Sequence, residues 1–324
     1  MNKPGIALIM TLLNEENGLP GLLRSIDSQT LQPDEIIICE TGSTDGTMPI
    51  LRRWQASHPG RMTIIEMEGL NIAEGRNQAI RASAAPVICV TDGGCVMQEN
   101  WLQEITAPLA TGGSVGIVYG ETVAVGKSRV GQQFSFLYAM KTGDAGAAVS
   151  VHSSRSVAFR KSAWEAVGGY PEWMTLAGED TYFFNQVEKV AESCSIPAAR
   201  VYWSHGEESL VKVFQRHRRN SKGDSEANLH AGRYLALIGA YAAAAAALLL
   251  SFFRRGLIPP ALLLTIVLCF RHTPVAMKKG ANLLDAVAVL PAITLFRDLG
   301  MVNGYLAGLR RRAPKRYSAG SVET

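Results

Sequence analysis

Apolar positions keep a regular rhythm over the first 125 residues of this 324-residue chain. Short β-branched runs at residues 6–12, 35–40, 62–66, 87–91 and 115–119 read as strands. Between them, residues 18–29, 49–57, 73–82 and 99–109 read as helices. The alternation predicts an α/β fold, a Rossmann-like, mainly parallel sheet with helices on both faces. Farther on, 151–160 reads as another strand and 162–167 as a short helix. Gly168-Gly169-Tyr170-Pro171 breaks the chain before a helix that starts near Glu179 and continues to Ala191. Residues 198–203 read as a last strand. Residues 141–150, rich in Gly and Ala and without periodicity, read as a mobile loop.

The pattern changes after Gly232. Residues 234–253 carry no charge over 20 positions, about what a helix needs to cross roughly 30 Å of hydrocarbon. Residues 256–270 form a second uncharged run, interrupted by Pro259-Pro260. Two further apolar stretches, 286–296 and 299–309, are split by Arg297-Asp298 and closed by Arg310-Arg311-Arg312. A buried helix of a soluble domain is the plain alternative for the first run, because residues 242–247 are only weakly hydrophobic alanines. Clustering and basic flanks favour a membrane-associating module that meets anionic lipid headgroups. Spanning and in-plane arrangements both fit. The expected division is a catalytic domain over 1–223, hydrophobic helices over 224–312 and a polar tail over 313–324.

Composition narrows this only slightly. With 47% hydrophobic and 19% charged residues the chain holds a packed core. A net charge of +4 does not imply a nucleic-acid partner. The five cysteines show neither a CxxC pair nor zinc spacing, which suits a reducing compartment. The first apolar stretch is too short for a secretory signal.

Candidate chemistry sits where predicted strands end. Thr11, Asn14 and Glu15 follow the first strand; Glu40 ends the second, with Asp45 in the turn beyond; Asp92 ends the fourth; Glu179 and Asp180 follow Gly178. In open α/β sheets ligands bind beyond the carboxyl ends of the strands. Carboxylates gathered there hydrogen-bond a ribose or base, hold a divalent cation, or take a proton from a hydroxyl. Glu15 and Asp45 are equally well read as turn and cap chemistry. A charge straight after Val-Ile-Cys-Val-Thr, as at Asp92, serves no stabilising purpose.

Asn14-Glu15-Glu16, the turn from Glu40 to Thr47, Gly75-Arg76-Asn77, the Asp92 cluster and Glu179-Asp180 occur in the order seen in family 2 glycosyltransferases of the GT-A fold, and residues 5 to about 223 resemble that family. The resemblance implies that Asn14, Glu15 and Glu40, with Thr11 and Gly75 in the same set, bind a uridine-type nucleotide. It places Arg76 near the base or diphosphate and Asp92 at a Mg²⁺ or Mn²⁺ ion bridging the diphosphate. Asp180, beside Glu179, becomes the base that deprotonates an acceptor hydroxyl, with inversion at the anomeric carbon.

The family usually carries Asp-x-Asp at the metal, whereas this chain has Asp92-Gly93-Gly94. His205 in Trp-Ser-His-Gly is the candidate for the missing ligand, against the plain reading of a structural hydrogen-bonder. Gln215 and Arg218 match the Gln-x-x-Arg-Trp of processive relatives, and Arg219 replaces its Trp. These residues hold a leaving diphosphate or a lipid phosphate, or else form the basic face of an amphipathic helix. Residues 299–309 resemble the tail of membrane-associated, succinoglycan-type exopolysaccharide glycosyltransferases. That implies a bacterial enzyme adding sugar to a lipid-linked saccharide at the cytoplasmic membrane face. A polyprenyl-phosphate sugar synthase and a non-catalytic nucleotide-sugar-binding scaffold are the alternatives.

Overall fold

A computed structural model describes residues 5–110, 113–139, 153–174, 177–278 and 280–309. The segment read as a mobile loop, 141–150, and residues 175–176 of the stretch before Glu179 lie outside the described residues. The chain forms two compact units.

The first unit comprises residues 1–125, 138–173 and 179–205. Its elements begin β1 (Ile6–Leu12), α1 (Leu19–Asp27), β2 (Glu35–Glu40), α2 (Thr47–Ser57), β3 (Met62–Glu66), α3 (Ile72–Ala82), β4 (Val87–Val90), β5 (Cys95–Met97), α4 (Trp101–Ala110) and β6 (Val115–Val125). After α5 (Arg129–Ala139) come β7 (Val157–Arg160), α6 (Lys161–Ala166), α7 (Glu179–Val187) and β8 (Glu192–Ser204). The eight strands form one sheet in the order β3-β2-β1-β4-β7-β6-β8-β5.

Helices cover both faces, as expected. Alternate residues of β1 point to opposite sides. Leu8 and Met10 join a core with Leu22, Ile26 and Trp101, while Ala7 and Ile9 join another with Ile80, Trp164 and Phe183. Each such side chain contributes roughly 1.5–3 kcal/mol by leaving water.

The sheet is more mixed than expected. Pairs β1–β2, β1–β4, β2–β3 and β6–β8 run parallel. Pairs β4–β7, β6–β7 and β5–β8 run antiparallel. Strands buried on both faces read as continuous apolar runs whichever way they point, so hydropathy carries no direction. The last strand is also longer than the 198–203 expected. It begins at Glu192 and absorbs Pro197 in an irregularity where Gly120 pairs with Ile196 and Glu121 with Arg200. A proline fits a strand where no ladder hydrogen bond is needed from it. The helix from Glu179 ends at Val187 instead of continuing to Ala191. Residues 188–191 leave it in tight turns, with Lys189 N–H donating to Gln186 O at 3.1 Å and Ala191 N–H to Val187 O at 2.9 Å. Of the strand expected over 151–160, only Val157–Arg160 forms among the described residues.

The second unit comprises residues 126–137, 174–178 and 206–324. Its helices are α5, of which residues 129–137 belong to this unit, α8 (Leu210–Glu226), α9 (Ala231–Ser251), α10 (Ile258–Phe270), α11 (Thr273–Lys278), α12 (Leu283–Ala288) and α13 (Leu290–Gly308). Pro259 and Pro260 do not interrupt a helix; they lie in the first turn of α10, where no amide donor is required. Nor do Arg297 and Asp298 split the last apolar stretches. They sit inside the continuous α13, both buried. Asp298 accepts from Tyr241 Oη at 2.7 Å and from Arg271 Nη2 at 2.5 Å, and Arg297 Nη1 lies 2.9 Å from His272 Nε2. Partners supplied by neighbouring helices let the charges stay inside.

α9, with mean hydropathy 1.9 over its richest window, is long and apolar enough to cross a membrane. The helical run from Arg255 to Lys278, at 1.5, also is. Phe252 and Phe253, between them, are each 87% exposed.

α8 and α13 touch through a glycine stripe. A Cβ at Gly300, Gly304 or Gly308 would run into the backbone carbonyl of Phe214, Arg218 or Lys222 respectively. Gly304→Ala is therefore expected to destabilise the second unit by about 1–3 kcal/mol through overpacking, outweighing the helix propensity of alanine. Gly239→Ala in α9, where a Cβ meets nothing within 4 Å, is expected to gain about 0.5–1 kcal/mol. Thermal melts of the two variants in one detergent should move in opposite directions.

Candidate active site

The polar residues predicted from strand ends gather at the carboxyl edge of β1, β2 and β4. Register places Leu12 opposite Glu40, so the loops that follow β1 and β2 leave side by side. They are joined through side chain to backbone. Asn14 adopts the left-handed region (φ 56°), and its Oδ1 accepts from Thr44 N–H at 2.8 Å. Asn14 N–H donates to Ser43 Oγ at 2.8 Å, and Glu15 N–H to Thr47 Oγ1 at 2.8 Å. Glu16 accepts from Gly46 N–H at 2.8 Å. Glu40 is buried and accepts from the amides of Gly42 at 3.2 Å and Ser43 at 2.6 Å. Asp45 accepts from Thr47 N–H at 3.0 Å. Asn14, Glu40 and Asp45 thus shape the two loops, which is ordinary turn chemistry.

Glu15 is different: no hydrogen bond to its carboxylate is found among the described residues. It lies against Gly93, where a Cβ would collide with Glu15 Cγ at 2.5 Å. Burial pushes its carboxyl up to about 7, and the nearby charges of Asp92 and Asp45 push the same way. A folded-state value above the ordinary 4.5 means that the folded protein holds this proton more tightly than the unfolded chain. Stability contributed by the protonated form is therefore full below about pH 4.5 and lost as pH rises through about 7. Glu15→Gln should match the parent at pH 4 and exceed it at pH 8 by about 1–3 kcal/mol. Denaturant melts at both pH values check this.

Gly75-Arg76-Asn77 lies in the first half of α3, whose start is fixed by a reciprocal cap. Asn71 Oδ1 accepts from Glu74 N–H at 3.0 Å, and Glu74 Oε2 accepts from Asn71 N–H at 2.7 Å. Gly75 allows close approach, because a Cβ there would overlap the side chain of Thr11. Thr11 Oγ1 is itself buried with no hydrogen-bond partner among the described residues. Asn77 Nδ2 donates to Tyr170 O at 2.9 Å and its Oδ1 accepts from Tyr170 N–H at 2.9 Å, tying α3 to the Gly-Gly-Tyr-Pro turn.

Arg76 is 2% exposed and bridges two carboxylates. Nη2 donates to Asp92 Oδ1 at 2.9 Å and Nη1 to Glu179 Oε1 at 2.6 Å, while Tyr170 lies under the guanidinium at 5.4 Å. The carboxylates hold the guanidinium firmly protonated against the opposing effect of burial. Burial, followed by the charge of Asp180, raises Glu179 above the usual carboxylate range, and Arg76 works against that rise. Asp180 is half-buried, and its Oδ1 accepts from Thr181 N–H at 2.7 Å.

His205 reaches the same edge by a route that the sequence did not disclose. The three-residue β5 follows Asp92-Gly93-Gly94 and pairs antiparallel with the end of β8, Cys95 opposite Trp203. Ser204 N–H then donates to Gly94 O at 3.0 Å, which brings His205, buried, alongside the turn that carries Asp92. Among the described residues no three His, Cys, Asp or Glu side chains form a cluster able to hold a metal ion. The chain itself offers a carboxylate and an imidazole, a donor set suited to a divalent cation completed by ligand oxygens.

Gln215, Arg218 and Arg219 stand exposed on α8 of the second unit, and Arg218 Nε donates to Asn303 Oδ1 at 2.7 Å. Sequence reasoning passed over Tyr170 and Arg155. Both lie outside any periodic element, so only spatial contact reveals them.

Residues 7–166 match the family model described as Glycosyl transferase family 2. That stretch is a domain of the family. Similar proteins include glycosyltransferase AglE of Haloferax volcanii, 23% identical over 54% of this chain and 59% of AglE. Another is validoxylamine A glucosyltransferase of Streptomyces hygroscopicus subsp. limoneus, 24% identical over 36% of this chain and 26% of its own length. The chain thus spans less than two thirds of these curated relatives. Among solved structures, the chain resembles the mannosyltransferase PcManGT from Pyrobaculum calidifontis, determined with GDP-Man and Mn²⁺ (TM-score 0.55, 17% identity, 96% of this chain and 87% of that one). It also resembles GalNAc-T7 with UDP, GalNAc and Mn²⁺ (TM-score 0.52, 11% identity, 69% of this chain and 48% of that one). The fold is GT-A, with the mixed sheet described above.

Proposed function

We propose that the chain is an inverting, metal-dependent glycosyltransferase. It moves a sugar from a nucleotide-sugar donor, of uridine type, to a hydroxyl of a lipid-linked saccharide at the cytoplasmic face of a membrane. The observation that carries the reading is the Arg76 bridge. One buried guanidinium fixes Asp92, on the candidate donor side, relative to Glu179, the immediate neighbour of the candidate base Asp180. The family 2 domain and the Mn²⁺ complexes of the two structural neighbours support a donor and a divalent cation.

Each residue then has a task. Asp180 takes the proton of the acceptor hydroxyl as its oxygen bonds to the anomeric carbon, and the bond from that carbon to the diphosphate breaks on the opposite side. Asp92 and His205 would hold Mg²⁺ or Mn²⁺, which when bound neutralises charge developing on the leaving diphosphate. Glu15, whose carboxyl is pushed up by burial and by the charge of Asp92, offers a hydrogen bond to the nucleotide in its protonated form. The apolar α9 and the 255–278 run support membrane association, which would bring a lipid-linked acceptor to the enzyme.

Calorimetric titration of the detergent-solubilised protein with UDP and GDP, with and without Mn²⁺, tests this. The expected result is metal-dependent binding of UDP, weakened at least about tenfold in Asp92→Ala and His205→Ala, or about 1.4 kcal/mol. Failure to bind either nucleotide with any cation would overturn the nucleotide-sugar reading.

A further inference from the structure

Arg155 has no role in the reading above. It stands just before β7, and its carbonyl accepts from Thr91 Oγ1 at 2.9 Å, which anchors it beside the residue preceding Asp92. Its guanidinium stacks on Trp203 at 4.0 Å and lies 5.7 Å from Tyr138. Trp203 pairs with Cys95, and its ring is 5.5 Å from that of His205. The arginine is thereby held between the Asp92 turn and the His205 end of β8.

Its polar contacts are few. Among the described residues Arg155 forms no ion pair, and Ser153 is the one side chain that its guanidinium hydrogen-bonds, through Nη1. Asp92 and Asp180 both lie within electrostatic reach of it without a direct bond. Arg76, by contrast, pairs with two carboxylates, Nη2 with Asp92 and Nη1 with Glu179. A cation fixed by aromatic stacking, with a single side-chain hydrogen bond among the described residues, suits a tetrahedral phosphate that presents two oxygens to the guanidinium.

We propose that Arg155 binds the distal phosphate of the nucleoside diphosphate, holding it in the donor and stabilising it as it leaves. The inference rests on the nucleotide-sugar reading above. Bidentate recognition by a stacked guanidinium is not reproduced by lysine, whose ammonium is a point charge. The contact belongs to one phosphate, so it distinguishes a nucleoside diphosphate from the corresponding monophosphate.

The test is a comparison of UDP and UMP binding, and of GDP and GMP, to the full-length parent, Arg155→Gln and Arg155→Lys with Mn²⁺ present. In both variants diphosphate affinity is expected to fall at least tenfold while monophosphate affinity stays within about twofold. Retained monophosphate binding shows that the site is still folded; should the glutamine variant not fold, the lysine variant carries the test. Equal losses for both ligands, or unchanged diphosphate affinity, would overturn the assignment. A parent protein that binds no nucleotide would instead overturn the nucleotide-sugar reading, and this inference with it.

Discussion

Replacing Arg76 by methionine is expected to cost the first unit about 3–5 kcal/mol, because removing one member of a buried charge network strands the others. Asp92 and Glu179 would lose their shared counter-ion. The deficit should shrink on acidification, because protonating Glu179 removes one uncompensated charge. Methionine approximates the volume of the stem, so packing alone does not account for a loss of this size. Urea denaturation of the parent, Arg76→Met, Glu179→Gln and the double variant closes a cycle, and a coupling of about 0.5–3 kcal/mol is expected between the two positions. Additive effects would show that Arg76 and Glu179 are not energetically coupled, so that the Glu179 half of the bridge contributes nothing beyond the two single losses.

Asp180→Asn is expected to lower the transfer rate about 10²–10⁴-fold and leave nucleotide binding within about twofold. The amide keeps the size of the side chain but cannot take the proton of the acceptor hydroxyl. Glu179→Gln separates the adjacent acids. Glu179 is buried against Arg76, so its loss should appear first as reduced stability, whereas Asp180 is half-buried and bonded locally to Thr181. Rate measurements at saturating donor, alongside melts of both variants, distinguish a base from a positioning residue. Retained turnover in Asp180→Asn would remove the role assigned to it and favour an acceptor that needs little base, such as a lipid phosphate.

Much of this arrangement was legible in the sequence, and its failures have physical causes. Strands β1 to β3 were read at their observed bounds because β-branched runs flanked by turn residues encode burial and length directly. Strand direction left no trace in hydropathy, so the antiparallel placement of β7 between β4 and β6 was missed. β5 is too short to show a period at all. Arg297-Asp298 was read as dividing two apolar stretches; the continuous helix through them was not legible because their partners, Tyr241, Arg271 and His272, come from distant sequence. Of the candidate residues, Asp92 was visible as a charge out of keeping with its apolar neighbours, Glu179 by its place after the Gly178 turn, and His205 only through the family resemblance. Arg76 was visible too, but not its bridging position. Arg155 sits in a short serine-rich stretch where nothing local hints at Trp203.

The pairing of β5 with the end of β8 also bears on how the protein is made. Residues 95–97 leave the ribosome early, but the segment that answers them, Val201–Trp203, emerges only after the rest of the first unit's sheet has been synthesised. Contacts between such distant segments form slowly, because the intervening loop must be closed before they are rewarded. A nascent chain that has reached residue 190 holds Arg76, Asp92 and Glu179 but not His205 or the indole under Arg155. The edge that carries Asp92 and His205 is therefore the last part of that unit to mature, its timing set by the end of β8 synthesis.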